Sequence, residues 1–186
     1  MKGVLWGTVA ACVLTTAALA QTSEVGQRTD NQQDRIAHGV KSGQLTAGET
    51  SNLEKKESAI NQEVHTDRAL DGGKLTAAEK TQVNRQQNRL SGRIYNDKHN
   101  SSTQHYANNE VDARRENQQD RIANGIASGK MNAAQASRIE KGESAINHEV
   151  HTDRSLNGGK LTPGERKMVN RQQNVASRKI YNDKHR

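Results

Sequence analysis

An all-α protein, made of two tandem three-helix units behind a signal peptide, is what this chain of 186 residues predicts. Three features carry the prediction. Leu53, Glu57, Ile60 and Val64 are spaced 4, 3 and 4 residues apart, as are Val83, Gln87, Leu90 and Ile94, and that interval puts each set on one face of an α-helix. A start signal, Leu45-Thr46-Ala47-Gly48-Glu49, recurs thirty residues on as Leu75-Thr76-Ala77-Ala78-Glu79. Residues 31–100 also align without a gap with 117–186, identical at 45 of 70 positions, so a fold adopted by one half must suit the other.

Residues 1–20, MKGVLWGTVAACVLTTAALA, place Lys2 before an apolar run that ends in Ala18-Leu19-Ala20. This is the pattern of a secretory signal peptide cut before Gln21. A membrane anchor would want a basic stop behind the run, and none follows. Lipid attachment at Cys12 would leave VLTTAALA on the mature chain. Cleavage removes the only Cys and the only Trp, so neither a disulfide nor a Cys-ligated metal is expected. The expected product is exported, periplasmic or secreted, with no stable membrane span.

The first repeat, 21–100, reads as a short helix at about 30–41 and long helices at about 46–70 and 76–97. Thr76 is a good N-cap and Glu79 falls at the third helical position, so the two form a capping box that satisfies free backbone N–H groups reciprocally. Gly72-Gly73 supplies the positive-φ residues that stop the preceding helix. Folding about Gly73 sets Leu53 beside Ile94, Glu57 beside Leu90, Ile60 beside Gln87 and Val64 beside Val83, with Ile36, Val40 and Leu45 covering the open side. Residues 101–109, SSTQHYANN, are polar and aperiodic and read as a linker. The second repeat, 110–186, repeats the pattern at about 110–127, 132–156 and 162–183. There Asn132 and Gln135 form a weaker cap, and Pro163 stands at a first helical position.

The core is thin. Phe is absent, and Leu, Ile and Val make up less than about a fifth of the mature chain, close to the border of disorder. A narrow stripe buries little per residue, so one repeat needs help from the other or from homo-oligomerisation. The net charge of +7 comes from interspersed signs, which permits anionic partners without requiring them.

Several motifs bear on function. Gly73-Lys74-Leu75-Thr76-Ala77-Ala78-Glu79 resembles the tail of a calcium-binding EF-hand loop, and two units thirty residues apart resemble an EF-hand pair. Calcium needs six to eight oxygens, yet the first half of that loop offers Arg68, Leu70 and Gly72. Asp67 and Asp71 supply ligands only in a shifted register, and Asn157 replaces the second in the other copy. His148 and His151 lie three apart on one helix face, a minimal grip for zinc that lacks a third ligand; Gln62 replaces His148 in the first copy. The bland readings are a helix cap and a solvated face. Nucleic acid is not expected, because Asn84-Arg85-Gln86-Gln87-Asn88-Arg89 has no stacking aromatic nearby. No nucleophile elbow or phosphate loop is present, so no catalytic residues are assigned. Glu57 and Glu143 are the carboxylates best placed for a shifted pKa, with a register role as the plainer reading.

The Leu-Thr-x-x-Glu units at 45–49, 75–79 and 161–165, with Met131-Asn132-Ala133-Ala134-Gln135 as a fourth, resemble the LTxxQ proteins of the bacterial periplasm, the Spy/CpxP-like group. Glu replaces Gln in three of the four units, and the thirty-residue spacing and tandem copies depart from that group. The resemblance implies an all-helical, often dimeric fold that binds unfolded proteins or serves envelope stress and metal tolerance. The leading expectation is an exported, non-enzymatic helical protein that binds a protein or envelope partner. The alternative is a divalent-cation module, with calcium or zinc held by Asp67 and Asp71 or by His148 and His151.

Overall fold

The computed structural model describes residues 16–185, with side chains from Glu24 onward. Among the described residues six helices follow one another: α1 (Thr16–Lys41), α2 (Ala47–Leu70), α3 (Ala77–Lys98), α4 (Glu110–Ala127), α5 (Ala133–Leu156) and α6 (Pro163–Lys184). No strand occurs among the described residues. The signal-peptide reading falls largely on residues 1–15, outside the described residues.

The start signals act as the sequence requires. Thr46 and Thr76 are N-caps with extended backbone, and each closes a capping box with the Glu three residues on. At the second cap the Thr76 N–H donates to Glu79 Oε2 at 2.7 Å and the Glu79 N–H donates to Thr76 Oγ1 at 3.3 Å. Asn132 with Gln135 and Thr162 with Glu165 repeat the device. At the stop, Gly72 and Gly73 take φ of +64° and +88°, and the Gly73 N–H reaches back to the Arg68 carbonyl at 2.7 Å.

The first helix is a correction. The sequence predicts its start near residue 30, whereas α1 begins at Thr16. Residues 21–30 hold one branched apolar side chain, Val25, so no apolar period is visible there. Polar contacts to α3 hold this part instead. Gln87 Nε2 donates to the Val25 carbonyl at 3.1 Å, and Arg28 donates to Asn88 Oδ1 at 3.0 Å.

The hairpin register follows the apolar stripe. Glu63 accepts from Gln82 at 3.0 Å and from Gln86 at 2.8 Å, which brackets the pairing of Val64 with Val83. Leu53, Ile60, Val64, Val83, Leu90 and Ile94 are all buried, and Ile36, Val40 and Leu45 cover them.

The two repeats pack together through α2 against α5 and α1 against α4, while α3 and α6 flank them. Ser51 Oγ donates to the Ser137 carbonyl and Ser137 Oγ to the Ser51 carbonyl, each at 2.9 Å. These serines stand 86 positions apart, the offset of the repeat, so the exchange marks a pseudo-two-fold axis. Gly48 lies against Ser144 beyond that crossing, so α2 and α5 run antiparallel. The larger core cluster draws Ile36, Leu45 and Leu53 from one repeat and Ile122, Met131 and Ile139 from the other. The help a thin core needs therefore comes from the second copy within the chain.

Candidate functional site

Polar groups are carried into the helical seam in matched sets. Glu54, Glu57 and Glu140 are fully buried and Glu143 is 1% exposed. Gln33 Nε2 donates to Glu54 Oε2 at 3.1 Å, and its counterpart Gln119 donates to Glu140 Oε2 at 3.0 Å. One buried oxygen each of Glu54, Glu140 and Glu143, and both oxygens of Glu57, lack a partner in hydrogen-bonding geometry within the protein. Burial pushes the Glu54 carboxyl up to about 8, against the bond from Gln33 and with help from Glu57. Burial lifts Glu57 to about 7, while Thr29 and Asn61 beside it pull the other way. Glu143 also rises to about 7 through burial, with Arg115 opposing. Glu140 is raised by burial, with Glu143 and Glu54 adding to the rise.

The sequence located Glu57 and Glu143 but not Glu54 and Glu140. The signal is the Glu-x-x-Glu spacing, which puts a second carboxylate on the flank of the stripe. That flank becomes buried where α2 meets α5 and where α1 and α4 reach it through Gln33 and Gln119. The glutamines act as cross-helix ties. Gln32 Nε2 donates to the Gln87 carbonyl at 2.7 Å and to Ser91 Oγ at 2.9 Å, and Gln118 does the same to Gln173 and Ser177 at equal distances. Such bonds fix the axial register of the helices.

Asp67 and Asp71 lie where α2 ends. Asp71 is the C-cap, its N–H donating to the Asp67 carbonyl, and its carboxyl shares a hydrogen bond with Glu79 that raises the Asp71 pKa and lowers that of Glu79. Glu79 is already held by Thr76. In the second copy Asn157 Nδ2 donates to both oxygens of Glu165, at 2.9 and 3.0 Å. The Gly-Gly segment is a short turn between α2 and α3, closed by the Gly73 N–H on the Arg68 carbonyl. Among the described residues, no group of three or more His, Cys, Asp or Glu side chains is gathered to hold a metal.

His148 and His151 are exposed on α5, one turn apart, and face a groove of about 710 Å³. The linker crosses beside them and adds His105, while the first turn of α2 closes one end. The linker is pinned there, because the Gln104 N–H donates to the Gly43 carbonyl at 2.8 Å. Gly43 has φ +70°, and a β-carbon on it would meet the Gln104 carbonyl oxygen at 2.7 Å, so only glycine permits this approach.

Arg115 and Arg154 also line the groove. Both engage Asp112, Arg115 Nη1 at 2.7 Å and Arg154 Nη1 at 3.0 Å. Burial alone would raise the Asp112 pKa, but the bonds from Asn109, Arg115 and Arg154 outweigh it and hold the carboxyl below its usual range. Arg115 Nε donates to Asn147 Oδ1 at 2.6 Å, and the Tyr106 ring lies 5.4 Å from its guanidinium carbon. The first repeat has Gly26 and Thr29 where the second has Asp112 and Arg115, so this network exists once. Sequence reasoning missed it because it joins α4, α5 and the linker. The copy-to-copy differences at those positions were its only trace.

No family model, curated protein or solved structure matches the chain.

Proposed function

We propose that this chain is an exported, non-catalytic helical protein that binds a protein partner in the cell envelope. The observation that carries the proposal is the groove between α5, the linker and the start of α2, large enough for a bound segment and walled by side chains with hydrogen-bonding capacity. The LTxxQ resemblance and the leader-like first twenty residues support the location and the chaperone-like role. No described helix is long and apolar enough to cross a membrane.

The test is suppression of aggregation of a chemically unfolded client by a near-stoichiometric amount of the chain, with a chelator present. Suppression is the expected result. The second reading, a divalent-cation module, is favoured by the three imidazoles around one groove. Heat from micromolar zinc or calcium, lost in His148→Ala/His151→Ala or in Asp67→Asn/Asp71→Asn, together with no effect on the client, would replace the first reading with the second.

A further inference from the structure

We infer that the groove beside α5 binds an extended, acidic peptide segment, one per chain. The inference rests on the binding-protein reading and adds the chemistry of the partner. Two guanidinium groups, Arg115 and Arg154, share the carboxylate of Asp112, and the other carboxyl that feels Arg115, Glu143, is buried and not on the groove wall. Three imidazoles, His105, His148 and His151, stand on its walls, and no Asp or Glu lines it. Bound carboxylates would therefore meet N–H donors without a competing acid.

Size selects a peptide over a small anion. The α5 wall runs from Ser144 to Ser155. At about 1.5 Å per residue this is a wall about 16 Å long, the length of roughly five extended residues at about 3.3 Å each. Asn147, Ser155 and Thr103 on these walls are held by bonds to Arg115, His151 and His105, whereas the Ser144 hydroxyl and the Gln104 side-chain nitrogen are left to pair with a peptide backbone. The first repeat cannot build a second copy of the site. It carries Gln62 for His148, Gly26 for Asp112 and Thr29 for Arg115, and the linker crosses the chain once.

The test uses the intact chain and a fluorescently labelled hexaglutamate peptide, read by anisotropy with a chelator present. Saturable one-to-one binding that weakens with salt is expected. The triple variant His105→Gln/His148→Gln/His151→Gln, whose three side chains are exposed, should keep its helical circular dichroism and weaken binding by about tenfold or more. Lys55→Gln/Lys141→Gln removes two positive charges outside the groove and should leave affinity within about twofold. Absence of hexaglutamate binding, equal binding by the triple variant, equal loss in the lysine variant, or tighter binding of inorganic tripolyphosphate would each overturn the inference. If client aggregation is still suppressed in that event, the binding-protein reading stands on another surface; if it is not, both fall.

Discussion

Replacing Glu54 and Glu140 by Gln should remove a large part of a steep dependence of stability on pH, leaving the share carried by Glu57 and Glu143. Glu54 is fully buried, and its carboxyl is pushed from 4.5 to about 8. Between those values the folded chain holds a proton that the unfolded chain has lost. Its stabilising contribution is therefore complete below pH 4.5 and lost as pH rises through 8. Each unit is worth about 1.4 kcal/mol, so Glu54 alone accounts for about 5 kcal/mol across the window. Glu57 and Glu143, lifted to about 7, would each lose about 3 kcal/mol by that pH. Such losses rival the whole stability of an ordinary domain, about 5–15 kcal/mol. The groups that face Glu54 are Gln33 from α1, Glu57 on its own helix and Glu140 from the other repeat, and no cation is among them. In the second repeat Arg115 opposes the rise only at Glu143. Glutamine copies the neutral carboxyl in shape and keeps an oxygen for the Gln33 amide. Urea unfolding followed by circular dichroism at pH 5, 7 and 9 should show the parent chain weakening steadily. The double variant should match it at pH 5 and exceed it by several kcal/mol at pH 9. A urea midpoint that is flat or rising from pH 5 to 9, or a double variant with the parent's slope, would refute the reasoning.

Other outcomes follow from single contacts. Thr76→Ala removes the Oγ1 that accepts from the Glu79 N–H, while the backbone bond to the Glu79 carboxylate survives, and should cost about 1 kcal/mol in urea unfolding. Asp112→Ala strips two buried or half-buried guanidiniums of their carboxylate and should cost about 3–5 kcal/mol, while the same change at Asp120, which no ion pair engages, costs under about 0.5. Gly43→Val forces a side chain into the linker at positive φ and should accelerate proteolysis within 101–109 before it lowers helix content.

Local chemistry made most of the fold legible. The caps at Thr46, Thr76, Asn132 and Thr162, the Gly72-Gly73 stop and the 4-3-4 stripes are encoded within a few residues, and the helices fall where those residues place them. The early part of α1 was not legible, because its packing on α3 runs through Gln87 and Arg28 rather than an apolar period. Likewise the inward turn of Glu54 and Glu140 depends on a neighbour 86 positions away. On sequence alone Glu54 looks like the outer edge of an amphipathic helix. The site was half legible: the i, i+3 spacing pairs His148 with His151, but His105 and Arg115 join them only through the path of the linker. Asp67 and Asp71 stand at a helix stop, and a helix stop and a calcium loop use the same short vocabulary of Asp and Gly.

The groove and the burial of the glutamates depend on the two repeats clasping through α2 and α5. The reciprocal serine contact offers a direct probe, since cysteines placed there should lie within bonding reach. In a Cys12→Ser background, Ser51→Cys/Ser137→Cys should oxidise quickly to a disulfide within one chain, at any protein concentration and with unchanged helix content. Failure to close, or closure only between chains as concentration rises, would contradict the arrangement of the two repeats.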